Sequence, residues 1–410
     1  MDISKDTFVS ILERMATYGT APEEGCSVFG VGYENVFLKL KNKYLIEQFR
    51  RGMLSEKFVV GPFGSGKTHF LRHFMEIARD MDCVTAEVIL NKDIDFTKSL
   101  IVYGEIVRGI RTPLYREHGI QTLLQAALDK ACSPISDSSM KDMIVHAWIK
   151  GLDRIDFKYK TFGVVVKKAL LAKLNEDDVV FDSCCRWLEG DINDRSLAKE
   201  LNVPKIDAGS NNLYAKNMML SLFQFIRHAG FNGTVVCFDE AEQGLSVDKK
   251  KTEKILSMLQ AGINAIADLQ NGSAMLMYAF TPDLVEKMKS FAALQQRIWS
   301  PSGCSFADGN VLAPLIDLTI RDPLQDLRNI GRKLVSVFFD KFGGEVQTSK
   351  DKLFACVDKI ASDILEKEIS SSNRRDMVKN VCSFLLEVLE TEQIYAAATA
   401  DDSDIYEAEV

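Results

Sequence analysis

Residues 61–68 read Gly-Pro-Phe-Gly-Ser-Gly-Lys-Thr, which fits the spacing G-x-x-x-x-G-K-[ST]. A polyphosphate is held by several backbone N–H groups converging on it. Only glycine lets a short loop curl that tightly, with positive φ and no Cβ in the way. Before the loop, "EKFVV" reads as a short buried strand; after it, "KTHFLRHFMEIARDM" has helical spacing. The loop therefore opens onto a helix N-terminus, whose free N–H groups favour an anion. Lys67 would bring a point charge to the β- and γ-phosphates, and the Thr68 hydroxyl could ligate Mg²⁺. Gly61, Pro62, Phe63, Gly64, Ser65, Gly66, Lys67, Thr68 and His69 are the expected nucleotide contacts.

A second constellation lies at "TVVCFDEAEQG", where apolar strand residues run into Asp239 and Glu240. Acids at the end of a buried strand are costly unless something cationic lies there. With a phosphate loop in the same chain, Mg²⁺ is the simple partner, held by Asp239, with Glu240 activating the attacking water. A helix N-terminal acidic pair is the plainer reading, and Glu242 reads as surface. The strand "MLMYAFTPD" ends in Thr281, which could sense the γ-phosphate or position water; Thr281-Pro282 also reads as N-cap and N1 of a helix. Arg297, Arg374 and Arg375 are candidates to reach a γ-phosphate, in trans or from a lid, or are ordinary salt-bridging arginines.

These residues need elements to position them. The chain reads as strand, helix, strand, a long helical block, strand, helix, strand and further helices, the alternation of a parallel α/β sheet. The expected organisation is an N-terminal helical segment over 1–52, a first part of the nucleotide-binding core over 53–95 and a helical insertion over 96–230. A second core part follows over 231–315, then a helical lid over 316–393 and a disordered acidic tail over 394–410.

The chain has 410 residues, 46% hydrophobic and 26% charged, with a formal net charge of −8. That suits a globular protein with a sizeable core and argues against coating nucleic acid through bulk charge. Nine cysteines without a CxxC pair argue for reduced thiols rather than a disulfide framework or zinc site. No run is long and apolar enough to span a bilayer and the N-terminus lacks a signal-like apolar core, so a cytoplasmic protein is expected. His69 and His73 lie one helical turn apart with no third ligand nearby, which argues against a metal there.

Local basic clusters occur at Lys39, Lys41, Lys43, Arg50 and Arg51, in "KYKTFGVVVKKALLAK" over 158–173, and at Lys249–Lys251. Tyr159 and Phe162 interleave with lysines, a pattern that suits a phosphate backbone and stacked bases. A solvated helix face is the commoner origin of such a pattern.

Taken together, the phosphate loop, the "DE" strand, the polar-tipped strand and the late helices resemble an AAA+ (ASCE-type) P-loop ATPase. More narrowly, the chain resembles the BrxD-type ATP-binding proteins of BREX (bacteriophage exclusion) defence systems. The resemblance is carried by "GTAPEEGCSVFGVGYEN", "GPFGSGKTHFLRHF", "LIVYGEIVRGI", "CRWLEGD", "RHAGFNGTVVCFDEAE" and "AFTPD" followed by "LQQRI". It implies an ATP- and Mg²⁺-dependent α/β core with a large helical insertion and a C-terminal helical lid. It implies a role in phage defence beside helicase, methyltransferase or nuclease partners, with a DNA contact or homo-oligomer open. It implies catalytic roles for Glu240, Thr281 as first sensor and Arg297 as arginine finger, a second-sensor role for Arg374 or Arg375, and adenine near Val31. A nucleotide-gated scaffold with little turnover and a ring-forming DNA translocase are the alternatives.

Overall fold

Strand β1, Leu54–Val60, and strand β2, Cys83–Ile89, are rich in β-branched and apolar residues, and most of their positions are buried. In the computed structural model they belong to a six-stranded sheet of order β3-β2-β4-β5-β1-β6. The structure describes residues 4–90, 94, 98–133, 138–240, 272–289, 306, 309–320, 322–367 and 373–406. The remaining strands are β3 Ile110–Arg111, β4 Gly233–Asp239, β5 Ala274–Phe280 and β6 Leu315–Asp317. All pairings are parallel except β2 with β3. Every residue of β4 and β5 is buried, as central parallel strands require.

Register fixes the functional edge. Phe58 pairs with Tyr278, and Tyr278 with Phe238, so three aromatic rings line up across β1, β5 and β4. Their centroids are 5.6 and 4.7 Å apart with nearly parallel planes, and Phe280 adds a fourth ring 5.7 Å from Phe58. Such pairs add about 0.5–1.5 kcal/mol each beyond the area they bury. They stiffen the strands just before their carboxyl ends.

The helices, numbered in chain order, are α1 Lys5–Tyr18, α2 Cys26–Phe29, α3 Glu34–Leu40, α4 Lys67–Asp80, α5 Ser99–Arg108, α6 Ile120–Cys132, α7 Ser138–Gly151, α8 Lys160–Leu174, α9 Asp178–Leu188, α10 Arg195–Leu201, α11 Asn211–His228, α12 Pro282–Lys289, α13 Pro323–Phe342, α14 Lys350–Glu366 and α15 Asn373–Tyr406. Their ends follow from local chemistry. Ser4, Asp177, Asp194, Asp322 and Ser349 each accept a backbone N–H as N-caps, and Pro323 opens α13. α3 continues into a π-helix, Lys41–Gln48.

Two compact units emerge. One comprises Asn35–Val60 and Ile77–Asp317; the other comprises Met1–Glu34, Gly61–Glu76 and Leu318–Val410. Four observations depart from the sequence reading. β3 and β6 are too short to leave a periodicity, and β3 lies inside a block expected to be helical. That block, 96–230, does not stand apart: its helices share one continuous apolar core with the sheet, including Tyr103, Phe162, Trp187 and Phe223. The chain's first helix joins its last ones, since Phe8, Leu12 and Met15 of α1 pack with Leu334, Phe338, Leu353 and Met377. Finally, α15 runs to Tyr406, into the stretch expected to be a disordered tail.

Among the described residues no helix is long and apolar enough to cross a membrane. The aromatic residues of 158–173 are structural. Phe162 is fully buried, and Tyr159 packs between Trp187 and Tyr214 at 6.0 and 5.2 Å. Lys167 pairs with Asp153, and Lys173 lies over the Phe181 ring. The expectation of bases stacking on these rings therefore does not hold. Lys249–Lys251 lie outside the described residues.

Within the sheet unit, Lys57 is buried in the middle of β1. Its ammonium donates to the Ala313 carbonyl at 2.6 Å and faces the rings of Tyr44 and Phe306 at 4.5 and 5.0 Å. Burial lowers its pKa from the ordinary 10.5 to about 7. Between those values the unfolded chain holds more proton than the folded one, so the Lys57 share of stability rises with pH across that window. Lys57→Met should therefore be more stable than the parent at pH 7, with the gain shrinking toward pH 10 in urea titrations. A gain equal at both pH values would remove Lys57 from the pH dependence. In the helical unit, a Cβ on Gly331 of α13 would lie 2.1 Å from Val357 Cγ1 and 2.5 Å from Met377 Cε. Gly331→Ala should cost about 1–3 kcal/mol of stability through overpacking; an unchanged urea midpoint would show that α13 is free to move.

Candidate functional site

The loop over residues 61–66 has the conformation its glycines permit. Gly64 and Gly66 have φ of 75° and 90°, in the left-handed region. A Cβ on Gly61 would meet Ser65 Oγ at 2.3 Å. Lys67, the first residue of α4, is buried and donates its ammonium to the carbonyls of Gly61 and Pro62 at 3.0 and 3.2 Å. The Phe63 ring, itself exposed, lies 5.3 Å from that ammonium. Ser65 Oγ is buried without a hydrogen-bond partner among the described residues. A tight loop with an orphaned hydroxyl, a lysine and a helix N-terminus is a donor set that fits the phosphates of a nucleotide.

Thr68 and His69 follow in the first turn of α4. His69 is held neutral: burial lowers its pKa to about 4, and the neighbouring His73 and the Arg374 guanidinium push the same way. Its ring lies 6.0 Å from that of His73. Val31 sits in the turn before α3, beside Gly32 with φ of 86°. Glu76, further along α4, is buried and accepts the backbone N–H groups of Cys26 and Ser27 at 2.9 and 2.8 Å, which ties down the start of α2.

The two late arginines separate cleanly. Arg375 lies against the end of α1, where a Cβ on Gly19 would meet its Cγ at 2.5 Å. Arg374 turns to the phosphate loop. Its Nη1 donates to the Ser65 carbonyl and, at 3.0 Å, to the Tyr33 hydroxyl. Its Nε and Nη2 donate to the two oxygens of Asp326 at 2.7 and 2.6 Å. Burial disfavours the charge on Arg374, but the bonds and charges of Asp326 and Tyr33 outweigh it and keep the guanidinium protonated.

The sheet unit supplies the acidic constellation. β4 ends in Asp239, which is buried, and Asp239 Oδ1 accepts the backbone N–H of Glu240 at 2.9 Å. Glu240 has φ of 54°, a left-handed conformation that costs a non-glycine residue roughly 1–3 kcal/mol and concentrates at functional sites. Thr281, also buried, follows β5, and its carbonyl accepts from Leu284 N and Val285 N, so it holds the N-cap place of α12. β5 lies between β4 and β1, and Val60 pairs with Phe280. Asp239, Thr281 and the end of β1 therefore share one edge of the sheet, the carboxyl edge where α/β proteins bind ligands. Arg297 and Glu242 lie outside the described residues.

Sequence reasoning missed Asp326 and Tyr33. Asp326 lies in the first turn of α13, where an acid reads simply as a complement to the helix dipole. Tyr33 lies in a glycine-rich turn with no periodicity. The only signal either could have given is its place beside the phosphate loop, which exists only in the folded chain.

No curated protein matches this sequence, and no solved structure does. The family model for the BREX system ATP-binding protein BrxC/D matches residues 3–403. A match spanning nearly the whole chain, over a phosphate loop built as described, assigns the protein: it belongs to the BREX system ATP-binding protein BrxC/D family.

Proposed function

We propose that this protein binds and hydrolyses Mg-ATP as an AAA+-like ATPase and couples its nucleotide state to DNA-acting partners in phage defence. The observation that carries the reading is the phosphate loop, with its two left-handed glycines, buried Lys67 and unpartnered Ser65 hydroxyl. The family supplies ATP and the defence setting.

In this reading the loop N–H groups and the α4 N-terminus bind the phosphates, and Lys67 exchanges its loop carbonyls for phosphate oxygens. Thr68 and Asp239 would hold Mg²⁺, which when bound neutralises charge on the phosphates. Glu240 accepts a proton from the attacking water, whose oxygen forms the new bond to the γ-phosphorus as the bond to the β-bridging oxygen breaks. Thr281, at the same sheet edge, orients that water. Arg374 presents Nη1 to the bound phosphates. The interposed β5 supports this division of labour, since it sets a polar strand end between the phosphate strand and the acidic strand.

A nucleotide-gated scaffold with little turnover is the second reading. It is favoured by the grouping of the loop with α1, α13, α14 and α15 in one compact unit. In that case binding itself would order the helices, and hydrolysis would only reset them.

Two variants test these assignments. Lys67→Ala should weaken ATP binding at least about tenfold, because the loop loses its only charged side chain; unchanged affinity in a titration with labelled ATP would refute the loop as the site. Glu240→Gln should keep ATP affinity while phosphate release falls about 10²–10⁴-fold. Release at the parent rate would take Glu240 out of the chemistry. Parent protein that binds ATP yet releases no phosphate, with or without DNA, would favour the scaffold.

A further inference from the structure

Arg374 is held in an unusual way. One edge of its guanidinium, Nε and Nη2, is committed to both oxygens of Asp326, leaving Nη1 to face the loop. That nitrogen meets the Ser65 carbonyl and the Tyr33 hydroxyl. The loop leaves room for it: a Cβ on Gly66 would lie 3.3 Å from Nη1. Tyr33 is itself fixed, its ring edge-on to the buried Phe70 of α4 at 5.3 Å. The side chains of Arg374 and Asp326 are each only 12% exposed.

A buried ion pair is a poor stabiliser, because desolvation consumes most of the attraction. A purely structural tie between α13 and α15 would be served as well by apolar side chains. What apolar side chains cannot supply is a charged donor at the phosphate loop with a fixed direction. An unanchored arginine carries several rotatable bonds and would pay to order them on each binding event. Here the carboxylate from α13 orders the fork in advance, and the phenol from the turn before α3 borders the one nitrogen that faces the loop, which would exchange the Ser65 carbonyl for a phosphate oxygen on binding.

We propose that Asp326 and Tyr33 are positioning residues for Arg374: they hold its guanidinium ready for the terminal-phosphate contact that the family resemblance implies for it. This rests on the reading of the loop as the ATP site. The γ-phosphate adds negative charge and acceptor oxygens, which a directed N–H donor with a full positive charge senses more than a diffuse one. Asp326 also ties this reading to α13, so the helix that carries the anchor feels whether Nη1 has found a phosphate.

The test is the ratio of ATP to ADP affinity, measured by calorimetry on the full chain with Mg²⁺, alongside melting of each variant without nucleotide. Arg374→Ala should lower the ratio about tenfold, the loss of one charge-assisted hydrogen bond. Asp326→Ala and the gentler Asp326→Asn should lower it in the same direction. Asp326→Ala on top of Arg374→Ala should add nothing, since the two act as one unit. Tyr33→Phe should give a smaller fall. The exchanged pair D326R/R374D keeps an ion pair between the helices but turns a carboxylate toward the loop, so it should melt near the parent and still lose the ratio. A parent-like ratio in folded Asp326→Asn or in the exchanged pair would overturn the proposal, as would additive losses in the double variant. Lys67→Ala separates the two levels. If it weakens both nucleotides while the Asp326 variants keep the parent ratio, only the positioning role fails. If it weakens neither, the loop reading fails and the proposal with it.

Discussion

A loop built from glycines has almost no side chains with which to hold itself. Carbonyls left without partners inside such a loop need donors from elsewhere. The surroundings of the loop follow from that need. Lys67 covers the carbonyls of Gly61 and Pro62, and Arg374 covers that of Ser65. Both donors are cations, so the same groups that brace the loop also make it electropositive. The rest of the helical unit fixes those cations: α15 carries the arginine, α13 carries the acid that orients it, and the buried phenylalanine of α4 backs the tyrosine beside it.

The sheet solves a different problem, that of holding acids where water is scarce. Asp239 ends a strand with every residue buried, and the rings of Phe238, Tyr278 and Phe58 brace it from within the sheet. Asp239 spends one oxygen on the next backbone N–H, and the chain then turns through a left-handed residue at Glu240. The aromatic ladder lies immediately below, so a strained turn stands on a stiff base. This is how a fold keeps a costly conformation without letting it relax.

Much of this was legible in the sequence, and the limits are physical. The glycine turn leading into α4 was legible because its geometry is local: glycines, lysine and helix start lie within a few residues. Asp239 and Thr281 were legible because a polar residue ending an apolar strand contradicts its own burial. The long helices were legible from periodicity, whereas β3 and β6 are too short to have one. Spacing left Arg374 and Arg375 equivalent, since adjacent residues on a helix differ in direction by 100°, and only the packing of α15 decides which one meets the loop. Asp326 and Tyr33 were silent because each is ordinary where it stands in the chain. The helical block was read as a separate insertion because sequence distance says nothing about whether a helix shares a core with the sheet.

The helical unit is assembled from both ends of the chain, and this sets an order in time. The sheet unit, drawn from Asn35–Val60 and Ile77–Asp317, has its core partners within that span and needs no later residues. Phe8, Leu12 and Met15 must wait for Leu334, Leu353 and Met377 to be made. At the usual rate of synthesis the wait is on the order of 15–60 s. Throughout it, the α1 stripe has only nearby residues such as Phe29 to pack on, and the glycine-rich loop exists as sequence without the arginine that braces it. Until α13, α14 and α15 are made, the loop lacks the Arg374–Asp326 pair that braces it in the folded chain.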